Sequence, residues 1–132
     1  METALQIILG LAASICLLGG LNLLNKGAMA FLPKGHPPAV VLNHLLRFTS
    51  GIYFALGFLL IYVAYTLPQQ RDLLYFIGIV VASAGAGRAW SIIRMGAPGM
   101  YFKAMMVLEF ALGLAIIILQ WSRSGMMLAQ VQ

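Results

Sequence analysis

Four long apolar segments constrain the fold of this 132-residue chain more than any other feature. About 20 apolar residues suffice to cross a hydrocarbon core of about 30 Å, because an α-helix rises about 1.5 Å per residue. Short stretches rich in proline, glycine or charged residues separate the segments. The expected helices span residues 4–24, 39–66, 72–95 and 100–121. We therefore predict an all-α integral membrane protein, with residues 1–132 forming one domain, a four-helix transmembrane bundle.

The composition supports a membrane protein and argues against two other classes. Hydrophobic residues make up 62% of the chain and charged residues only 8%, which is too apolar for a soluble globular domain. The net charge of +5 does not indicate nucleic-acid binding, because the lysines and arginines are spread over the connecting segments and form no basic stripe. We expect the chain to contact membrane lipids and to bind no nucleic acid.

The lysines and arginines near the helix ends predict the orientation in the membrane. The first and third connections lie on one side and carry or adjoin four cations, Lys26, Lys34, Arg94 and Lys103. The opposite side carries two, Arg71 and Arg123. Since cytoplasmic connections are enriched in lysine and arginine, we expect the first and third connections in the cytoplasm and both termini outside.

One acid, Glu109, lies inside the fourth apolar segment and requires a partner there. An ionised carboxylate in hydrocarbon costs several kcal/mol or more, so such residues usually pair with a base. Arg47 and Arg88 also lie in apolar segments, and residue counting places all three near the side of the first and third connections. We therefore expect a buried Arg-Glu-Arg polar site.

Four further residues belong to this end of the predicted bundle. The candidate ligand-binding residues are Arg47, Arg88, Glu109, His44, Asn43, Asn22 and Trp90. Trp90 has two interpretations, a lining residue of the site or a member of an interfacial aromatic belt. The small residues Ala84, Gly85 and Gly87 should leave space beside Arg88.

Three interpretations of this cluster remain open. It is a structural ion network that fixes helix register, a ligand site, or a catalytic site in which Glu109 or His44 moves a proton. Two arginines against one acid leave a positive charge that suits an anionic amphiphile, a lipid headgroup or a quinone-type carbonyl compound. We expect a binding or accessory protein with no assigned catalytic residue. The alternative is a small membrane enzyme or transporter component acting on a lipid-like or quinone-like substrate.

The sequence predicts neither a metal site nor a cofactor. His36 and His44 are the only histidines, and no carboxylate stands at ligand spacing from them. Cys16 is the only cysteine, which excludes an internal disulfide and a multi-cysteine metal site.

A weak internal repeat relates the second and fourth helices. Residues 54–58, Phe-Ala-Leu-Gly-Phe, match residues 110–114, Phe-Ala-Leu-Gly-Leu, at a shift of 56 positions. The match is either a chance similarity between apolar helices or a parallel repeat of the kind found in transporters. If the repeat is real, the chain would need to form a homodimer or bind another membrane protein to enclose a transport path.

Two short motifs carry a resemblance to a known group of proteins. In residues 47–53, Arg-Phe-Thr-Ser-Gly-Ile-Tyr, and residues 87–91, Gly-Arg-Ala-Trp-Ser, together with Glu109, the chain resembles small bacterial four-helix membrane proteins that are distantly DoxX-like. The resemblance implies a multi-pass protein of the bacterial inner (cytoplasmic) membrane. DoxX-type relatives are linked to quinone-associated redox chemistry, but this sequence contains no cofactor motif with which to transfer that role.

Overall fold

The computed structural model describes residues 2–96 and 98–132. Its four α-helices are α1 Glu2–Lys26, α2 Val40–Tyr65, α3 Asp72–Met95 and α4 Met100–Gln130. Two short 3-10 helices, Ala28–Phe31 and Leu67–Gln69, lie in the first and second connections. No β-strand occurs in the two described ranges.

Each of the four helices is long and apolar enough to cross a membrane. They contain 25, 26, 24 and 31 residues, which correspond to about 36 to 47 Å of helix. The prediction of an all-α membrane protein with four transmembrane helices is therefore confirmed, and the chain is a multi-pass membrane protein.

The helix boundaries agree with the sequence except at the end of the chain. α3 begins and ends where the sequence predicts, and α1 and α2 differ by one or two residues at each end. The sequence predicts that the fourth helix ends near Trp121, but α4 continues for nine more residues to Gln130. The extension is stabilised by buried polar contacts of Arg123 and Ser124, described below.

The chain divides into two compact units. The first unit combines the described residues of Met1–Leu9 with those of Val63–Gln132, and the second unit is Gly10–Tyr62. The first unit contains α3 and α4, and the second contains most of α1 and α2.

In the second unit, α1 packs against α2 through one glycine on each helix. A Cβ atom on Gly20 would lie 2.9 Å from the Cα of Phe54. On the other helix, a Cβ on Gly57 would lie 2.6 Å from the Cγ of Leu17. Both positions therefore need glycine, because small residues let membrane helices approach closely and gain packing contacts.

In the first unit, α3 and α4 pack along a row of small residues that fixes their register. A Cβ on Gly113 would lie 2.6 Å from the backbone N of Ala82, and one on Gly78 would lie 3.1 Å from the carbonyl O of Gly113. Further along, a Cβ on Gly85 would lie 3.1 Å from the backbone N of Phe110. This contact places the next turn of α3, which contains Arg88, beside Glu109, the residue that precedes Phe110.

Candidate functional site

Arg88 on α3 and Glu109 on α4 form a bidentate ion pair. Arg88 donates hydrogen bonds from Nε to Oε2 of Glu109 at 2.8 Å and from Nη2 to Oε1 at 3.2 Å. Only 4% of the Glu109 side chain is exposed, whereas 32% of the Arg88 side chain is exposed. Two parallel charge-assisted bonds fix the guanidinium plane as well as its position.

The glycine row between α3 and α4 brings these two residues together. Arg88 follows Gly85 by one helical turn, and Glu109 directly precedes Phe110, the residue that covers Gly85. Arg88 lies seven residues, or about 10 Å, before the end of α3, and Glu109 lies nine residues, or about 14 Å, after the start of α4. At such a depth an unpaired carboxylate would be costly, so the pairing is the expected solution.

The small residues of α3 do not all leave space beside Arg88. The expectation is wrong at Gly85, because the ring of Phe110 already lies 3.0 Å from the position of a Cβ there. Gly87 does border open space, with nothing within 4 Å of an added Cβ. Ala84 is half-buried. A large side chain on α4 thus occupies one of the three predicted gaps.

In the second unit, Asn43 and Arg47 lie together at the connection that follows α1. Gly27 ends α1 with a left-handed φ of 66°, and the N–H of Ala28 donates to Oδ1 of Asn43 at 3.0 Å. A Cβ on Gly27 would clash with that oxygen and would lie 3.0 Å from Nε of Arg47. Arg47 is exposed and lies level with the end of α1. We call Gly27, Asn43 and Arg47 the α1–α2 corner.

The other predicted site residues lie at exposed positions. Asn22 on α1 and His44 on α2 are both exposed. Trp90 is 61% exposed, and the guanidinium carbon of Arg94 lies 4.9 Å from its ring centroid. A stacked, exposed tryptophan near a helix end favours the interfacial interpretation of Trp90. The structure thus brings together Arg88 with Glu109 in the first unit, and Asn43 with Arg47 in the second. In the described residues, no group of three or more His, Cys, Asp or Glu side chains could hold a metal ion.

A third polar cluster, centred on Arg123 of α4, is absent from the sequence prediction. Arg123 is only 3% exposed. Its Nη1 donates to the carbonyl O of Leu67 at 2.8 Å, and its Nη2 donates to the carbonyl O of Gln70 at 2.6 Å. Nη1 also lies 3.6 Å from Oε1 of Glu2, whose side chain is half exposed. Arg123 therefore holds the connection between α2 and α3 against α4.

Gln120 extends the same cluster by one helical turn. Its Nε2 donates to the carbonyl O of Arg71 at 3.2 Å and to Oγ of Ser124 at 3.3 Å. Gln120 is 1% exposed. Together, Gln120 and Arg123 donate to three backbone carbonyls of the second connection, those of Leu67, Gln70 and Arg71.

The periodicity of α4 contains the signal that would have revealed this cluster. The buried residues of α4 that share one face are Glu109, Gly113, Ile116, Gln120 and Arg123. Their spacing of four, three, four and three residues is that of a single helix face. Gln120 and Arg123 therefore continue the face that packs against α3, although composition alone assigns Arg123 to the membrane surface.

One comparison with known proteins identifies a family for the chain. A family model described as a domain of unknown function, DUF4345, matches residues 4–120. This chain is a DUF4345 protein. No curated protein and no solved structure matches it.

The DUF4345 region contains two of the three polar groups. It includes the Arg88–Glu109 pair and the α1–α2 corner, and it ends at Gln120, three residues before Arg123. The description of DUF4345 assigns no activity, so a function has to be inferred from the chemistry of these side chains.

Proposed function

We propose that this DUF4345 protein is a binding or accessory protein of the membrane that receives the anionic head of an amphiphile at Arg88. One observation carries the proposal. Glu109 engages Nε and Nη2 of Arg88, and the Arg88 side chain so oriented remains 32% exposed. The two hydrogen bonds thereby fix the direction in which Nη1 of Arg88 points.

The guanidinium group suits a carboxylate or phosphate head. It carries five N–H donors in a planar fork, and the two hydrogen bonds to Glu109 leave the Nη1 edge for a second anion. Because Glu109 holds the plane in place, less side-chain freedom is lost when an anion binds. The surrounding hydrocarbon lowers the dielectric, which strengthens a charge-assisted hydrogen bond.

The local charge balance also favours an anion. Toward the connection between α3 and α4, the cations Arg88, Arg94 and Lys103 stand against one acid, Glu109. Arg94 and Lys103 flank the connection between α3 and α4, where each contributes about 1 kcal/mol of attraction toward an anionic lipid surface. The hydrocarbon tail of the amphiphile needs no closed cavity, because α3 and α4 expose large apolar side chains such as Ile79, Val107 and Leu114.

Two other interpretations compete with this one. A purely structural Arg88–Glu109 pair would hold α3 against α4 and bind nothing. A small membrane enzyme or transporter component would need Glu109 or His44 to move a proton on a lipid-like or quinone-like substrate. The bidentate, buried state of Glu109 supports binding over proton transfer, since a carboxylate held in two hydrogen bonds is poorly placed as a general base. The DoxX-like relationship and the location in the bacterial inner membrane stay predictions.

Native mass spectrometry of the gently extracted protein tests the proposal. The parent should retain oleate or phosphatidylglycerol in preference to phosphatidylcholine. Arg88→Gln should bind one anionic amphiphile fewer, and Arg88→Lys should bind it more weakly, because lysine keeps the charge but lacks the fork. Arg71→Gln removes the same charge from an exposed position and should behave like the parent. Equal retention of anionic and neutral lipids by the parent, or equal losses in Arg88→Gln and Arg71→Gln, would leave only the structural interpretation.

A further inference from the structure

We infer that the α1–α2 corner is a second anion site, which binds the phosphate of an anionic phospholipid through Arg47 and Asn43. Arg47 would do so whether or not Arg88 binds an amphiphile. Three observations carry this inference: the hydrogen-bonded geometry of the corner, the absence of acids from its unit, and exposed apolar side chains of α2 beyond Arg47.

Two hydrogen bonds hold the corner in place. The N–H of Gly27 donates to the carbonyl O of Leu23 at 2.9 Å, and the N–H of Ala28 donates to Oδ1 of Asn43 at 3.0 Å. With its oxygen engaged by Ala28, the Asn43 amide turns its NH₂ group away from that backbone N–H. An amide donor is therefore available one helical turn before Arg47.

Arg47 lies against a glycine instead of a carboxylate. Its Nε and Nη2 are 3.0 and 3.1 Å from the position of a Cβ on Gly27, so any side chain there would displace the guanidinium. Arg47 is exposed, so its side chain is accessible to a ligand. Asn43 and Arg47 are four residues apart, hence on one face of α2.

The second unit has no acid that could neutralise these groups. Residues 10–62 contain Lys26, Lys34 and Arg47 but neither aspartate nor glutamate. Lys26 directly precedes the glycine that Arg47 covers. The corner thus combines a guanidinium and an amide NH₂ group with Lys26 one residue before Gly27, and a phosphate oxygen accepts from donors of all three kinds.

Exposed apolar side chains beyond Arg47 favour a lipid phosphate over a free one. Phe48 directly follows Arg47 and is 63% exposed, and Ile52, one helical turn further into the span, is 59% exposed. A phospholipid matches both parts, with its phosphate at Arg47 and part of an acyl chain along Phe48 and Ile52.

Lipid binding by native mass spectrometry tests the site in the full chain. Phosphatidylglycerol and phosphatidylcholine of equal chain length serve as probes, with glycerol phosphate as the probe without tails. The parent should prefer phosphatidylglycerol, and Arg47→Gln should weaken its binding roughly tenfold, the value expected for one lost charge-assisted contact. Arg71→Gln should bind like the parent.

A second variant keeps the test decisive if Arg47→Gln folds poorly. Asn43→Asp preserves the acceptor for the Ala28 N–H but places a negative charge beside the phosphate, so it should also abolish the preference. Arg88→Gln should retain the Arg47-dependent lipid, which separates this site from the one at Arg88. Undiminished phosphatidylglycerol binding in both Arg47→Gln and Asn43→Asp would overturn the inference. Glycerol phosphate binding as tightly as the lipid would overturn the assignment to a phospholipid.

Discussion

Arg123 donates a 2.8 Å hydrogen bond to the carbonyl O of Leu67, a residue 56 positions earlier in the chain. The same guanidinium donates to Gln70 and lies 3.6 Å from the carboxylate of Glu2. One buried arginine therefore stabilises the connection between α2 and α3. It also contacts the start of α1.

The first prediction concerns this arginine. Arg123→Gln removes two charge-assisted hydrogen bonds at a position that is 3% exposed, and each such bond contributes about 1.5 to 3 kcal/mol. We expect a loss of about 3 kcal/mol in the free energy of unfolding, measured by denaturant titration in detergent. Arg71→Gln, the exposed control in the same connection, should stay within about 0.5 kcal/mol of the parent. Equal stability of the two variants would show that Arg123 does not hold the connection.

The second prediction concerns the Arg88–Glu109 pair. Glu109→Ala leaves Arg88 without its bidentate acceptor inside the membrane span and should cost about 3 kcal/mol. Glu109→Gln should cost less, because the amide oxygen still accepts one hydrogen bond. Thermal unfolding in detergent gives the comparison, and Asp72→Asn, an exposed acid at the start of α3, is the control. If Glu109→Ala melts at the parent temperature, the acid does not contribute to stability through Arg88.

These two arginines show what the sequence can and cannot predict. The helices follow from the length of the apolar runs, and the need of Glu109 for an arginine follows from the cost of a charge in hydrocarbon. The choice of Arg88 as a bidentate partner depends on the register of α3 against α4, which Gly85 and Phe110 set through contacts that the sequence does not display. The sequence predicts Arg123 as a membrane-flanking charge, because composition cannot distinguish a buried cation near a helix end from an exposed one.

The third prediction separates backbone strain from packing at the α1–α2 corner. Gly27 and Gly35 both have positive φ, at 66° and 84°, so alanine at either position costs about 1 to 3 kcal/mol of backbone strain. Only at Gly27 does the new Cβ also displace Asn43 and Arg47, whereas at Gly35 nothing lies within 4 Å. Gly27→Ala should therefore be more destabilising than Gly35→Ala by about 1 kcal/mol or more in denaturant unfolding. Gly27→Ala should also reduce the preference for phosphatidylglycerol. Identical losses would indicate that the corner is not packed as described.

The last prediction tests the contact between α3 and α4 with two glycines that differ only in their surroundings. A Cβ on Gly113 would lie 2.6 Å from the backbone N of Ala82, and since the backbone of a packed helix cannot yield locally, the helices must separate. Gly113→Ala should therefore cost about 1 to 3 kcal/mol, the usual range for overpacking. Gly87→Ala adds the same methyl group where nothing lies within 4 Å, and it should be neutral or stabilise by up to about 1 kcal/mol, because alanine favours helix more than glycine does.

Unfolding of the two variants in mixed detergent micelles measures this difference directly. Separation of α3 from α4 should also lengthen the hydrogen bonds between Arg88 and Glu109, so Gly113→Ala should make a subsequent Glu109→Gln change less costly than it is in the parent. Gly87→Ala should leave the cost of Glu109→Gln unchanged. If Gly113→Ala and Gly87→Ala have the same effect, the spacing of α3 and α4 is not set by Gly113, and the position of the ion pair would need another cause.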